Sequence, residues 1–267
     1  EQFYSFRNEA APDAALKCLD DIGQCLNKFD TRIARKYLTH GINEKILFIV
    51  CNNYTKPAYQ LGTGPINDAV TVAIHHKRMG YNIVYLHNST PVQFKKWLKF
   101  ILQNTTTDLT IFYTGHGSQL RDKSGDEADG YDEVMVFDDG YVVDDELANY
   151  LVKYAHGQRI VLLTDCCHSG SIWDVQSILA RQENVSPNII SISASMDNET
   201  SKQTTFNSKD QGIFTYYFWH TFETNPKISI VDMKAKIDPI IRRFNQRVDF
   251  ASTSDGLTNE PIFPHQM

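Results

Sequence analysis

No stretch of this chain approaches the ~20 consecutive apolar residues that a membrane-crossing helix needs, which excludes an integral α-helical membrane protein. The opening residues EQFYSFRNEA lack the basic start and apolar centre of a signal peptide. Cysteine is scarce as well. The five present (Cys18, Cys25, Cys51, Cys166 and Cys167) are odd in number, and no pair has zinc-ribbon or redox CxxC spacing. A disulfide framework is thereby disfavoured, and reduced thiols in a cytoplasmic, intracellular protein are expected. Basic residues form no stripe of the kind a nucleic-acid interface requires. Internal repeats and low-complexity linkers are absent too.

What is present is the composition of a globular enzyme-sized domain, 267 residues with 42% hydrophobic and 22% charged content. The formal charge of −6 is unevenly distributed. Residues 121–145 carry ten acidic side chains against two basic ones, so the remainder is slightly positive. A local carboxylate cluster points to a cation site more than to a general surface property.

Apolar residues at Ala15, Leu19, Ile22, Leu26, Phe29 and Ile33 predict an amphipathic helix from Asp13 to Tyr37. Short apolar runs then follow at KILFIVC (45–51), YNIVYL (81–86), LTIFYT (109–114), RIVLLTD (159–165) and NIISISA (188–194), each of the buried-strand kind. Helical patterns lie between and after them, at 66–79, 92–103, 144–154, 213–223 and 230–246. Strands alternating with helices predict a mostly parallel sheet covered on both faces. Asp197–Gln211 is the longest polar stretch and is read as an exposed loop.

In such sheets ligands bind beyond the carboxyl ends of the strands. Two runs end in reactive residues: LTIFYT leads into Gly115-His116-Gly117, and RIVLLT into Asp165-Cys166-Cys167-His168-Ser169-Gly170. Glycines on both sides let the backbone turn tightly and leave the imidazole to project into a cleft. A thiolate nucleophile needs a base within hydrogen-bond reach, which two strands ending side by side would supply. In extended chain, adjacent side chains point to opposite faces, so only one of the two thiols can face the histidine.

The segments YTGHGSQ and DCCHSGS resemble the two active-site signatures of metacaspases, caspase-like peptidases whose usual forms are close to YSGHG and DSCHSG. The resemblance extends over most of the chain, from about Lys45 to Pro264. It implies a caspase-like three-layer α/β/α sandwich over residues 41–267, with residues 1–40 as a helical pro-segment or sheet cover. It also implies His116 as acid–base partner and Cys167 as nucleophile, with backbone N–H groups of Gly117 and Cys167 stabilising the oxyanion. Cys166 and Thr114 both stand where the family usually has Ser. Adjacent residues in an extended chain diverge, so His168, next to the nucleophile, is expected to be structural rather than the base.

By the same resemblance, Asp132, Asp144, Asp145 and Asp174 would bind Ca2+, although this chain is several residues shorter between Asp132 and Asp144 than typical members. Asp68, in GPIND, and Asp165, with Thr114 beside them, would line the pocket for the residue before the scissile bond. Pro65 replaces the Cys usual in that motif. Two carboxylates in one pocket favour a cationic partner. The resemblance thus implies a calcium-activated, monomeric endopeptidase acting on protein or peptide substrates after Arg or Lys. A ligase or transpeptidase of the same clan, or a silent interaction scaffold, is the alternative; retention of both His116 and Cys167 speaks against the scaffold.

Overall fold

The computed structural model describes residues 2–32, 34, 41–121, 131–166, 172–181, 184–195, 203–206 and 209–266. Its centre is a seven-stranded sheet built from β1 (Gln24–Cys25), β2 (Ile46–Cys51), β3 (Asn82–His87), β4 (Asp108–Thr114), β8 (Arg159–Asp165), β9 (Ile189–Ser195) and β12 (Arg247–Ser252), in the order β1-β3-β2-β4-β8-β9-β12. Every neighbouring pair is parallel except β9 with β12. All six residues of β2 and all seven of β4 are buried, as continuous apolar runs in a doubly covered sheet must be.

Helices α1 (Gln2–Ile22), α2 (Gly64–Arg78), α6 (Ile213–Thr224) and α7 (Ile230–Ile241) cover one face, where Leu47, Ile49, Phe112, Leu163 and Ile192 meet Leu19, Ile66, Val72, Phe218 and Ile237. On the other face α3 (Pro91–Asn104), α4 (Asp144–Tyr154) and the short α5 (Val175–Ala180) bring Phe94, Leu98, Leu147, Leu151 and Ile178 against Phe48, Ile111 and Leu162. The three-layer α/β/α arrangement is therefore observed. Local sequence starts these helices cleanly. Thr90 accepts from the Gln93 N–H and Gln93 reaches back to the Thr90 N–H, a capping box followed by Pro91. The first turn of α4 carries Asp144, Asp145 and Glu146, whose charge suits the positive end of the helix dipole.

Four features differ from the sequence expectations. The first helix ends at Ile22 rather than Tyr37, because the chain turns at Gly23 to lay β1 alongside β3, with Gln24 opposite Val84. A Cβ at Gly23 would lie 2.9 Å from Ile83 Cγ2, so only glycine permits this approach. The helix expected at 230–246 stops at Ile241, and Asn245 turns through a left-handed conformation (φ 58°) into β12. The polar stretch 197–211 includes an antiparallel hairpin, β10 (Gln203–Phe206) with β11 (Lys209–Gly212). The acidic stretch holds a second sheet, β5 (Gly117–Arg121), β6 (Tyr131–Phe137) and β7 (Gly140–Val143).

Candidate active site

The register of the central sheet sets Cys51 beside Thr114, and Thr114 beside Asp165, at the carboxyl ends of β2, β4 and β8. Gly115 and His116 follow β4 directly, while Cys166 follows β8. Gly115 is forced to be glycine: an added Cβ would come within 2.9–3.0 Å of the Tyr54 and Tyr113 hydroxyls and Asn52 Cβ.

The backbone of His116 is clamped on both sides. Its N–H donates to Tyr54 Oη at 2.6 Å, and its carbonyl accepts from Tyr113 Oη at 2.6 Å and from the Val136 N–H at 3.1 Å. The ring is held as firmly. Tyr54 stacks on it with centroids 4.8 Å apart at 29°, and Nε2 lies 2.7 Å from the Tyr59 carbonyl oxygen. A carbonyl can only accept, so Nε2 carries the proton and Nδ1 presents the lone pair. Burial pushes the His116 pKa below the ordinary histidine value, partly countered by the Tyr59 carbonyl.

Asp68 and Asp165 are 1% and 3% exposed and converge on one point, the place where Gly212 lacks a side chain. An added Cβ there would collide with Asp165 Oδ2 and lie 2.8 Å from Asp68 Oδ2. Asp68 accepts the Gly212 N–H at 2.8 and 3.0 Å, and Asp165 accepts the Thr215 hydroxyl at 2.5 Å and its N–H at 3.3 Å. Burial and the neighbouring Asp165 push Asp68 well above the usual carboxylate range, and burial raises Asp165 against the pull of Thr215. Asp68 lies in the second turn of α2, since the helix begins at Gly64; a first-turn dipole role does not explain it. Thr114, buried at 2% exposure, stands next to Asp165 in the register.

Of the four residues expected to bind calcium, Asp132, Asp144 and Asp145 bring carboxylate oxygens within 4.8 Å of one another. Asp144 is fully buried at the start of α4 and accepts the Glu133 N–H at 3.1 Å and the Asp145 N–H at 2.8 Å. Asp174 stands outside this group, buried at 5% exposure and in a left-handed conformation (φ 53°) just before α5. Clustered carboxylate oxygens are the donor set a hard divalent cation takes, so the residues present fit Ca2+.

Cys166 is completely buried on the α3/α4 face of the sheet, in the apolar cluster that includes Met135 and Trp173. Cys167 and His168 lie outside the described residues. Gly117 opens β5 opposite Met135. The Val136 N–H to His116 carbonyl bond makes 116/136 a hydrogen-bonded pair, so the Gly117 N–H points away from β6. Sequence reasoning missed Tyr54, Tyr59, Gly212 and Thr215. No helical or strand period marks a loop tyrosine, and Gly212 and Thr215 act through contacts 144 and 50 residues away in the chain.

The caspase domain family matches residues 44–265. The chain belongs to that family. Among curated relatives, Metacaspase-1A of Aspergillus oryzae is 33% identical over 149 residues, covering 49% of this chain and 35% of that one. Metacaspase-3 of Arabidopsis thaliana is 28% identical over 255 residues, 80% of this chain and 70% of the relative. The chain thus spans about a third of the Aspergillus relative's length. Two solved structures share the fold: a Geobacter sulfurreducens protein (TM-score 0.61, 19% identity, 84% of this chain and 100% of that one) and caspase-1 of Spodoptera frugiperda (TM-score 0.55, 12% identity, 81% and 90%). Among the described residues no helix is long and apolar enough to cross a membrane.

Proposed function

We propose that this caspase-family chain is a cysteine endopeptidase that cleaves after Arg or Lys, with Cys167 as nucleophile and His116 as acid–base partner. One observation carries the reading: Thr114 and Asp165 are directly paired in the parallel β4–β8 ladder. His116 and Cys167 each lie two residues beyond that pair, which supports their facing one another across the cleft. Complete burial of Cys166 supports Cys167 as the thiol available to substrate.

In the proposed reaction His116 Nδ1 accepts the Cys167 thiol proton, and the sulfur adds to the scissile carbonyl carbon. Backbone N–H groups of Gly117 and Cys167 receive the oxygen as it gains charge. Collapse breaks the C–N bond, the imidazolium proton passes to the leaving amine, and water hydrolyses the remaining thioester. The substrate's basic side chain would be drawn by Asp68 and Asp165, with Thr114 beside them, because a guanidinium can bridge two carboxylates that otherwise repel. Asp132, Asp144 and Asp145, with Asp174 as the fourth ligand that the family resemblance implies, would hold Ca2+, whose contribution would be to neutralise this acidic segment. The odd cysteine count without disulfide spacing supports an intracellular setting, and monomeric action on protein substrates completes the proposal.

The test is hydrolysis of Arg, Lys and Asp reporter peptides by wild type and Cys167→Ala, with and without calcium. Cleavage after Arg and Lys, stimulated by calcium and lost in the variant, is expected. Equal cleavage of the Asp reporter would overturn the pocket assignment, and product joined to an added amine in preference to water would favour the ligase.

A further inference from the structure

We infer that Tyr54 is a positioning residue for His116, holding the imidazole by stacking on its face while its hydroxyl fixes the backbone from which the ring projects. This inference rests on His116 being the acid–base group of the proposed peptidase. Tyr54 is buried at 3% exposure and reaches His116 twice over. The rings stack at 4.8 Å and 29°, and the phenol oxygen accepts the His116 N–H at 2.6 Å while donating to the Val136 carbonyl at 2.9 Å. Burial pushes the phenol pKa upward, so the hydroxyl remains a donor at every working pH.

The backbone at this position argues the same way. Tyr54 has φ 69°, a left-handed conformation that suits Gly or Asn and strains a bulky residue. A tyrosine is therefore kept where the backbone favours a smaller residue, and the surroundings are arranged to hold it there. Asn88 Oδ1 accepts both the Asn53 N–H at 3.0 Å and the Tyr54 N–H at 2.9 Å. Asn53 Oδ1 in turn accepts Asn88 Nδ2 at 3.0 Å and faces His87 Nε2 at 2.7 Å. One residue further on, Asp138 receives the Thr55 and Lys56 N–H groups at 2.9 and 3.2 Å. The same loop supplies the Tyr59 carbonyl to Nε2. One segment thus contacts the imidazole on its face through Tyr54 and on its edge through Tyr59, fixing plane and tautomer together. A catalytic histidine profits from such constraint, since misplacing a reacting group by ~1 Å costs about 10²-fold in rate.

The test uses the full chain as wild type, Tyr54→Phe and Tyr54→Ala. Rates on an Arg reporter are expressed per active site titrated with an irreversible thiol reagent, and His116 is followed by NMR with labelled histidine. Tyr54→Phe keeps the stack and loses the acceptor of the His116 N–H; kcat should fall about tenfold with KM within about twofold of wild type. Tyr54→Ala should lower kcat about 10²-fold, and its His116 should titrate nearer the ordinary histidine range because the covering ring is gone. Titrated-site kcat within about twofold of wild type in Tyr54→Phe, with an unmoved His116 resonance, would overturn the inference whether or not Tyr54→Ala folds. The NMR arm decides it even for a wild type that hydrolyses nothing, an outcome that would sink the peptidase reading alone.

Discussion

The Gly212 N–H donates to both carboxylate oxygens of Asp68, tying the end of β11 to the second turn of α2. Thr215, in the first turn of α6, donates both its N–H and its hydroxyl to Oδ2 of Asp165 at the end of β8. The N-terminus of α6 therefore compensates two buried carboxyl groups that would otherwise repel, and its positive dipole end adds to the hydrogen bonds. Because this compensation is incomplete, both groups remain shifted toward their protonated forms.

Gly212→Ala should be severely damaging, since the new methyl occupies the space where the two carboxylates meet. Overpacking of this sort costs roughly 1–3 kcal/mol, and here it also pushes apart the groups proposed to bind the basic side chain. Thermal denaturation should show a lower Tm, and kinetics on an Arg reporter a raised KM. A variant with wild-type Tm and KM would show that the carboxylates are not held as described.

Much of this arrangement was legible in the sequence, for a physical reason. Continuous apolar runs such as RIVLLTD exist only because β8 is covered on both faces, so strand and reactive terminus were read together. The edge elements were not legible. Strand β12 (RVDFAS) is short and mixes apolar with polar residues, and β10–β11 carries no apolar run, so neither announces a strand although both pair in the structure. Asp68 was found through its motif, but its partner Gly212 has no side chain to announce a role. Tyr54 was hidden likewise, being a single aromatic residue in a loop.

The two adjacent thiols should separate under alkylation. Cys166 is fully buried in the cluster with Trp173, so native protein treated with iodoacetamide should carry label at Cys167 and not at Cys166 by peptide mass spectrometry. Cys167→Ala should abolish turnover, whereas Cys166→Ser should retain most of the wild-type kcat with a modestly lower Tm, because a hydroxyl replaces a small hydrophobe in the core. His116→Ala should lower the rate by ~10²–10⁴-fold, the range general acid–base catalysis supplies. A catalytically competent Cys167→Ala paired with a dead Cys166→Ser would reverse the assignment.

Calcium should raise the Tm of the wild-type chain, with or without turnover, since a ligand bound only by the folded state stabilises it, by about 2.7 kcal/mol at 100 times Kd. Asp145→Asn removes one hard oxygen from the group formed with Asp132 and Asp144. Its calcium midpoint should rise by at least the ~10–100-fold that loss of an outer-shell partner costs a metal site. Calorimetric titration measures both. Identical melting in chelator and in millimolar calcium would mark the acidic cluster as having another purpose.

Asp68→Asn should stabilise the protein above mildly acidic pH while weakening its action on basic substrates. In the folded state burial and Asp165 raise the Asp68 pKa, and burial raises that of Asp165. The unfolded chain titrates both near the ordinary value, about 3.9. A carboxyl group with a raised folded pKa binds its proton more tightly in the native state, so its stabilising contribution is present below the unfolded pKa and is lost as pH rises through the folded one. The sign follows from linkage, because the folded state holds more protons, and the slope is at most about 1.4 kcal/mol per pH unit for each. Asparagine keeps the shape of the side chain, still accepts the Gly212 N–H, and offers an N–H toward Asp165 in place of a second negative charge. Relative to Asp68→Asn, the Tm of wild type should thus fall as pH climbs above about 4, so that the two curves diverge toward neutrality. Over the same range the variant's KM for an Arg reporter should rise, since one of the two charges meeting the guanidinium is gone. Parallel Tm curves for the two proteins would mean that Asp68 is ionised in the folded state at no cost, and the proposed coupling of the two carboxyl groups would have to be abandoned.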